Sequence, residues 1–249
     1  MPGPTSSPLW SGIHTSFAEV DSTDNPFDAE RWESACRGRV ERFRSSCLEG
    51  PLPPAHDRPT VLPALLAVMP GGPVRVIDFG GGAGMSYLQA ARSAPGRVAS
   101  WTVVERPALC SRLSSLHGVD DPIRFVPSIS AAGRADLAVF ASSLHYAEDW
   151  RRPLAEVAAA GCGTVLLEEV PAVSVPSFAT AQRYHEHRIA VWMIGLAELI
   201  ETMQGLGFVL RLSERFASPI EGLASELPME NFPPTHRVGF ASTFLFLRP

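Results

Sequence analysis

Gly80, Gly82 and Gly84 stand at two-residue spacing, with Gly81 among them, directly after the apolar run Val76-Ile77 and the acid Asp78. Glycine lets a backbone take positive φ and lets a ligand approach without meeting a Cβ. The start of a following helix offers free N–H groups to an anion. The segment therefore reads as a loop that grips a nucleotide cofactor. A second acid, Glu105, closes the β-prone run Trp101-Thr102-Val103-Val104. A carboxylate at the end of a second strand can accept hydrogen bonds from both hydroxyls of a ribose. His145 follows a third apolar run, Ala135 to Phe140, within Ser142-Ser143-Leu144-His145-Tyr146. Ligands of open α/β sheets sit outside the carboxyl ends of the strands, so Asp78, Glu105 and His145 are expected to face one crevice.

The glycine spacing excludes two other nucleotide loops. A G-x-G-x-x-G fingerprint needs glycine or alanine at its third position, where counting from Gly80 gives Met85 and counting from Gly82 gives Tyr87. The P-loop ends in Gly-Lys-Ser or Gly-Lys-Thr, and this chain has Gly84-Met85-Ser86. What remains is D-x-G-x-G-x-G.

The elements that must position these residues alternate along the chain. Hydrophobic patterning predicts strand 74–79, helix 84–93, strand 100–105, helix 107–116, strands 123–127 and 136–141, helix 149–159 and strand 164–169. Alternating strands and helices build a parallel sheet covered on both faces. A helix over Val61 to Met69, stopped by Pro70-Gly71-Gly72, is expected to pack on the sheet ahead of the first strand. A long helical zone is predicted over 177–206, followed by strands 208–212 and 238–247 as an antiparallel edge. The first sixty residues differ in composition. A Pro/Ser-rich start leads into a helix from about Pro26 to Cys47, opened by Asn25 as cap and Pro26 as first helical residue. Gly50-Pro51-Leu52-Pro53-Pro54 then breaks the chain. The expected organisation is an N-terminal helical lid over 1–59 and a cofactor-binding domain over 60–249.

Composition narrows the partners. A 249-residue chain with 45% hydrophobic residues can bury a sizeable core, and a net charge of -5 disfavours a phosphate backbone, so a small-molecule substrate is expected rather than nucleic acid. Arg37, Arg39, Arg42 and Arg44 cluster, but Glu41 interrupts them at a spacing that suits a solvated helix face. The four cysteines, Cys36, Cys47, Cys110 and Cys162, contain no C-x-x-C pair and no zinc-ligand spacing, so no metal is expected. No basic region followed by an apolar one opens the chain, and no apolar run approaches a membrane span; a cytoplasmic protein is expected.

Several segments together resemble a methyltransferase family often encoded among polysaccharide-biosynthesis genes, within the class I S-adenosylmethionine (SAM) superfamily. They are Trp10-Ser11-Gly12-Ile13, Ile77-Asp78-Phe79-Gly80-Gly81, Val104-Glu105-Arg106 with Pro107-Ala108-Leu109, and Ser142-Ser143-Leu144-His145-Tyr146. Phe178-Ala179-Thr180-Ala181-Gln182 and Leu206-Gly207-Phe208 are similar to its later segments, so the resemblance runs from about residue 10 to residue 216. It implies an α/β Rossmann-like fold, with a seven-stranded, mostly parallel sheet whose last strand is antiparallel. It implies SAM as methyl donor and a small-molecule oxygen or nitrogen nucleophile as acceptor. The cofactor set expected on this basis is Asp78, Gly80, Gly81, Gly82, Gly84, Tyr87, Glu105, Arg106, Ser128, Ser142, Ser143 and Tyr146. One segment departs from the family. Leu167-Glu168-Glu169-Val170-Pro171 stands where an Arg-Thr-Pro-like stretch is usual, so the acceptor is expected to differ. A similar scaffold occurs in azetidine-2-carboxylate synthases of secondary metabolism. There the amine of SAM attacks its own γ-carbon and methylthioadenosine leaves.

Either reaction needs nucleophile and carbon held in line and water excluded, which can supply roughly 7–11 kcal/mol of the barrier. Aromatic faces suit a sulfonium, at about 0.5–2 kcal/mol per contact. Trp10, Tyr87, Tyr146, Tyr184 and Trp192 are candidates, Tyr146 and Tyr184 the stronger ones. A proton must also leave the attacking group, and His145 on the crevice loop is suited to take it. Glu168 and Glu169 alternate in direction on their strand, so at most one faces the site. The catalytic set is thus His145, Tyr184 and Glu168. His185 and His187 fall with Glu186 and Arg188 in a polar stretch read as a helix surface. A non-catalytic binding subunit would be expected to have lost the glycines and Glu105, and this chain keeps them.

Overall fold

The computed structural model describes residues 8–23, 27, 30–47, 60–216, 219–220, 223–224 and 226–249. The Pro/Ser-rich start as far as Ser7, the Asn25-Pro26 helix opening and the Gly50–Pro54 break lie outside these residues. Strand β1 (Trp10–His14) and helix α1 (Glu30–Ser46) precede α2 (Leu62–Val68). The chain then alternates β2 (Val74–Phe79), α3 (Met85–Ser93), β3 (Val98–Val104), α4 (Pro107–Ser114), β4 (Ile123–Val126), α5 (Ile129–Ala132), β5 (Leu137–Ala141), α6 (Arg151–Ala159) and β6 (Thr164–Val170). The short β7 (Ala172–Val173) leads to β8 (Phe178–Tyr184), β9 (His187–Gly195), α7 (Leu196–Gly205) and β10 (Val209–Phe216). A small pair, β11 (Pro219–Ile220) and β12 (Leu223–Ala224), comes before β13 (Ala241–Leu247).

The central strands are apolar on both faces, and helices cover both. Ile77, Phe140, Leu167 and Phe244 join one core cluster, while their neighbours Val76, Val139 and Leu166 join the other with Trp101. Continuous burial of this kind is what a parallel sheet between two helical layers demands. The sheet has seven strands in the order β10-β13-β6-β5-β2-β3-β4. β13 runs antiparallel to both its neighbours, and the strands from β2 to β6 pair in parallel. The antiparallel edge expected from the last two long strands is present, with β10 outermost and β13 one place in. Burial explains this order, since Phe244 and Phe246 of β13 are inaccessible while Val209, Arg211, Ser213 and Glu214 of β10 face water.

The helical zone expected over 177–206 is overturned as far as Gly195. β8 and β9 form an antiparallel hairpin there, and only Leu196–Gly205 is helical. Ile189, Val191 and Met193 are buried at a period of two against Trp10, Met229 and Phe232, which fixes a strand rather than a helix. The turn, His185-Glu186, carries none of the Asn or Gly that usually mark a hairpin. His185 and His187 therefore belong to this hairpin and not to a helix surface. β1 pairs antiparallel with β8, giving a second sheet in the order β1-β8-β9-β7. The N-terminal zone is thus not wholly helical: it lends a strand to this sheet.

Glu198, in the first turn of α7, clamps the base of the hairpin. Its carboxylate accepts from the Ser177 N–H and hydroxyl, both at 2.9 Å, and pairs with Arg151 at 2.5 Å. Burial pushes the Glu198 carboxyl up, but the Ser177 and Arg151 hydrogen bonds outweigh it and hold the group below its ordinary 4.5. A depressed carboxyl contributes stability above the unfolded value and loses it as pH falls through the folded one. Glu198→Gln is therefore expected to cost about 1 kcal/mol at neutral pH, discounted for partial exposure. The gap to the wild type should shrink in denaturant melts below pH 4.5.

Candidate active site

β2 ends at Phe79, and the chain turns through Gly80–Gly84 before α3 begins at Met85. Gly80 has φ +63°, and a β-carbon there would sit 2.7 Å from Ser143 Cβ. The loop passes beneath the segment after β5 only because it has no side chain at that point. Ser143 ties the two together, donating its hydroxyl to the Phe79 carbonyl at 2.5 Å. At Gly81 a β-carbon would collide with the Asp78 carboxylate. Asp78 is fully buried, and its Oδ2 accepts from the indole N–H of Trp101 at 3.0 Å. The acid therefore shapes the loop from beneath.

Glu105 leaves the end of β3 and folds back over the same loop. Its Oε1 accepts from the Gly82 N–H at 3.2 Å and its Oε2 from the Arg106 N–H at 3.0 Å. Acid and glycine loop thus form one preorganised unit. Above it lies a cavity of about 410 Å³, lined by residues 80–83, Glu105, Arg106, Ser142, Ser143, Tyr146 and Tyr184. Phe27, Trp32 and Arg39 close it from the N-terminal side. The edge of Trp32 lies 3.7 Å from where a Gly82 side chain would begin. α1 holds this position by burying Cys36 and Val40 against Ala83, Leu109 and Leu113. Surface pairs Arg112–Glu33 at 3.0 Å and Arg44–Asp121 at 3.3 Å flank that contact.

A second cavity of about 400 Å³ adjoins the first, and both share Ser142, Tyr146 and Tyr184 in their walls. Trp10, His145, Glu169, Gln182, Arg183 and His185 contribute to the second. His145 is buried, with its ring centroid 4.3 Å from that of Tyr146, whose hydroxyl donates to Gln182 Oε1 at 3.0 Å. Phe27 meets the rings of both Tyr146 and Tyr184 at 5.4 Å. Burial raises the Tyr184 phenol above its ordinary value, against a lowering pull from Arg39, so the hydroxyl stays protonated and can donate. Ser142, Glu169 and His185 are the non-glycine residues with positive φ among the described residues, and all three line this second cavity. Strained backbone of that kind persists where surrounding structure imposes it, and it clusters at functional sites.

The structure brings Gly80, Gly81, Gly82, Glu105, Arg106, Ser142, Ser143, Tyr146 and Tyr184 to the first cavity and His145 to the second. Gly84 is not in either wall; it is the N-cap of α3, where a side chain would strike Ile123. Tyr87 points the other way, into the core beside Trp101, where burial above all pushes its phenol up to about 12. Ser128 is spent on capping α5, accepting from the Ala131 N–H at 3.3 Å. Glu168 turns from both cavities to accept from the Thr60 hydroxyl at 2.7 Å and the Val61 N–H at 3.1 Å, so it anchors the approach to α2. Its neighbour Glu169 takes the place expected for it. The register between β6 and β13 slips there, leaving Glu168 and Glu169 opposite Thr243 alone. Such a bulge re-aims a side chain. Trp192 lies elsewhere, stacked on Phe17 and donating to the Glu148 carbonyl at 2.9 Å.

Sequence patterning missed Phe27, Trp32, Arg39, Trp101 and Glu169. A usable signal existed for Trp32, since Trp32, Cys36 and Val40 recur at helical spacing and mark the inward face of α1. Among the described residues no group of His, Cys, Asp and Glu could hold a metal ion. No helix among them is long and apolar enough to cross a membrane.

No protein-family model matches the chain, and no curated protein matches it. Solved structures do. A chain of the complex of the Haloferax volcanii Trm112 methyltransferase activator is 18% identical with a TM-score of 0.53, over 90% of this chain and 96% of that one. Burkholderia thailandensis 1,6-didemethyltoxoflavin-N1-methyltransferase, solved with 1,6-didemethyltoxoflavin and S-adenosylhomocysteine, is 20% identical with a TM-score of 0.50, over 96% and 99% of the two chains. A SAM-dependent methyltransferase from Mesorhizobium loti is 18% identical with a TM-score of 0.50, over 75% and 96%. At such identities the shared property is the fold, and the fold of this chain is the Rossmann-like fold of class I methyltransferases.

Proposed function

We propose that this protein is a SAM-dependent enzyme that transfers a methyl group to an oxygen or nitrogen nucleophile of a small molecule. The observation that carries this reading is the pair of adjoining cavities, one floored by the glycine loop and Glu105, the other holding His145, with Ser142, Tyr146 and Tyr184 as their common wall. The first is of the size of small-molecule sites, roughly 300–1,000 Å³. Its residues fit SAM: bare peptide at Gly82, which looks across the cavity to Trp32, admits close approach, and Glu105 offers a carboxylate to ribose hydroxyls. The Burkholderia enzyme of the same fold holds S-adenosylhomocysteine and its acceptor together.

Bound SAM would supply an activated methyl group on a sulfonium centre. Everything else falls to the chain. The loop and Glu105 fix the adenosyl end, and Tyr146 and Tyr184 stand where the two cavities meet, offering π faces to a cation. Trp32 and Arg39 of α1 cover the cavity and keep water out, so α1 serves as a lid over the binding domain that begins after it, while β1 of the N-terminal zone belongs to the second sheet. His145 takes the proton from the attacking group of the acceptor. His145→Ala is accordingly expected to slow turnover by about 100-fold or more, while S-adenosylhomocysteine affinity, read by calorimetry, stays close to wild type. Normal turnover in that variant would remove the imidazole from the reaction.

The deciding experiment is incubation of the purified protein with SAM alone, followed by mass spectrometry, and then with candidate acceptors. Inertness until an acceptor is added supports methyl transfer. Methylthioadenosine together with a four-membered cyclic amino acid would identify a SAM cyclase instead. Failure to bind either SAM or S-adenosylhomocysteine overturns both.

A further inference from the structure

A loop built largely of glycine has little stiffness of its own, so neighbours must impose its shape. Glu105 holds one side through the Gly82 N–H. His117, in the turn between α4 and β4, holds the other: its Nε2 lies 2.8 Å from the Ala83 carbonyl oxygen. A carbonyl oxygen only accepts, so the ring hydrogen is on Nε2 and the imidazole donates. The peptide unit joining Ala83 to Gly84 is planar, and its other end is tied as well, with the Gly84 N–H donating to the Gly81 carbonyl at 3.0 Å. The two bonds fix the plane of a unit that Gly84, at φ +74°, would otherwise let rotate.

The His117 side chain is 3% exposed and packs against the rings of Tyr87 and Phe125, at 5.9 and 5.7 Å. Asp121 shapes the turn, accepting from the Gly118 N–H at 2.9 Å, the Arg44 guanidinium at 3.3 Å and the Tyr87 hydroxyl at 3.4 Å. Burial above all pushes the imidazole below its ordinary 6.5, against the Ala83 hydrogen bond, so the ring is neutral at neutral pH. Its Nδ1 is buried without a hydrogen-bond partner among the described residues, 3.9 Å from an Asp121 oxygen. An apolar side chain would fill the same space without burying a bare nitrogen. What the imidazole adds is the Nε2 donor.

We propose that His117 is a positioning residue for the cofactor: its Nε2–H, acting through the Ala83 carbonyl, holds the glycine loop in its binding shape before the cofactor arrives. His117 lies in neither cavity wall, so it acts only through the loop. The inference rests on the SAM-binding reading of the first cavity. Without the donor, the carbonyl of the buried Ala83 loses that partner and its peptide turns away. Ordering the loop again is then drawn from the binding free energy.

Calorimetric titration with S-adenosylhomocysteine compares the wild type with His117→Gln, His117→Asn and His117→Met. The glutamine amide nitrogen can take the place of Nε2, whereas that of asparagine falls short of it and methionine has no donor. The glutamine variant is expected to bind within about threefold of wild type, and the other two about tenfold more weakly, the weight of one hydrogen bond. Wild-type affinity in all three variants, or an equal loss in all three, would overturn the proposal. Should asparagine or methionine prevent folding, the other gives the same comparison. Nitrogen NMR of the labelled imidazole in wild-type protein needs no variant: the Nε2–H tautomer is expected, with a shift as S-adenosylhomocysteine saturates. An Nδ1–H tautomer, or a resonance indifferent to the ligand, would overturn the proposal as well. Wild-type protein that does not bind S-adenosylhomocysteine would sink the SAM-binding reading instead, so the two failures are told apart.

Discussion

Replacing Glu105 with alanine is expected to weaken S-adenosylhomocysteine binding by about 100-fold, a loss of roughly 3 kcal/mol. The carboxylate stands at the mouth of β3 with its oxygens toward the glycine loop, accepting from the Gly82 and Arg106 N–H groups. Alanine removes the acceptor for ribose hydroxyls, at about 1.5–3 kcal/mol per hydrogen bond to a charged group, and at the same time frees the loop it holds. Glu105→Gln keeps the shape and one acceptor oxygen, so it should fall between the two. Calorimetry on all three proteins reads the series, and an unchanged affinity in the alanine variant would take Glu105 out of the site.

Trp101→Ala should be the most damaging single change to stability, at about 3–5 kcal/mol. Trp101 has no solvent exposure and packs with Tyr87, Val76, Val103 and Leu166 on one face of the sheet. Its indole also donates to Asp78, the buried carboxylate under the glycine loop. Trp101→Phe separates the two contributions: it retains most of the apolar volume and leaves Asp78 short of one donor, at about 1–3 kcal/mol. Urea melts of the three proteins should show the alanine midpoint lowest and the phenylalanine midpoint between. A phenylalanine variant as stable as wild type would show that the indole N–H contributes nothing to the loop's support.

Local pattern carried the β/α core. The run Val74–Phe79 is apolar except at Arg75 and Asp78, Leu137–Ala141 is apolar throughout, and Gly80 and Ser142 follow them where the strands end. The 177–206 zone was illegible for an equally local reason. Its hairpin turns on His185-Glu186, without a turn residue, and Ile189, Val191 and Met193 alternate within a sequence whose other residues also suit a helix. What makes it a sheet is β1, about 170 residues away in the chain, paired at Trp10 with Gln182. Such a partner leaves no mark within a window of the sequence.

At the site, residue type and chain order determined which atoms could touch a cofactor: the glycines from Gly80 to Gly82, Glu105 after a second strand, and Ser142 to Tyr146 after a later one. These follow from the backbone, because a parallel strand delivers whatever follows it to one end of the sheet. Side-chain direction was decided only by tertiary packing. Tyr87 and Ser128 lie on the expected elements, but a core contact and a helix cap claim them. A single bulge exchanges Glu168 for Glu169, and α1 brings Trp32 and Arg39 over the loop from a distant part of the chain. Periodicity in a sequence specifies faces of isolated elements, whereas which face meets a cavity depends on register, bulges and neighbours that exist only once the chain has folded.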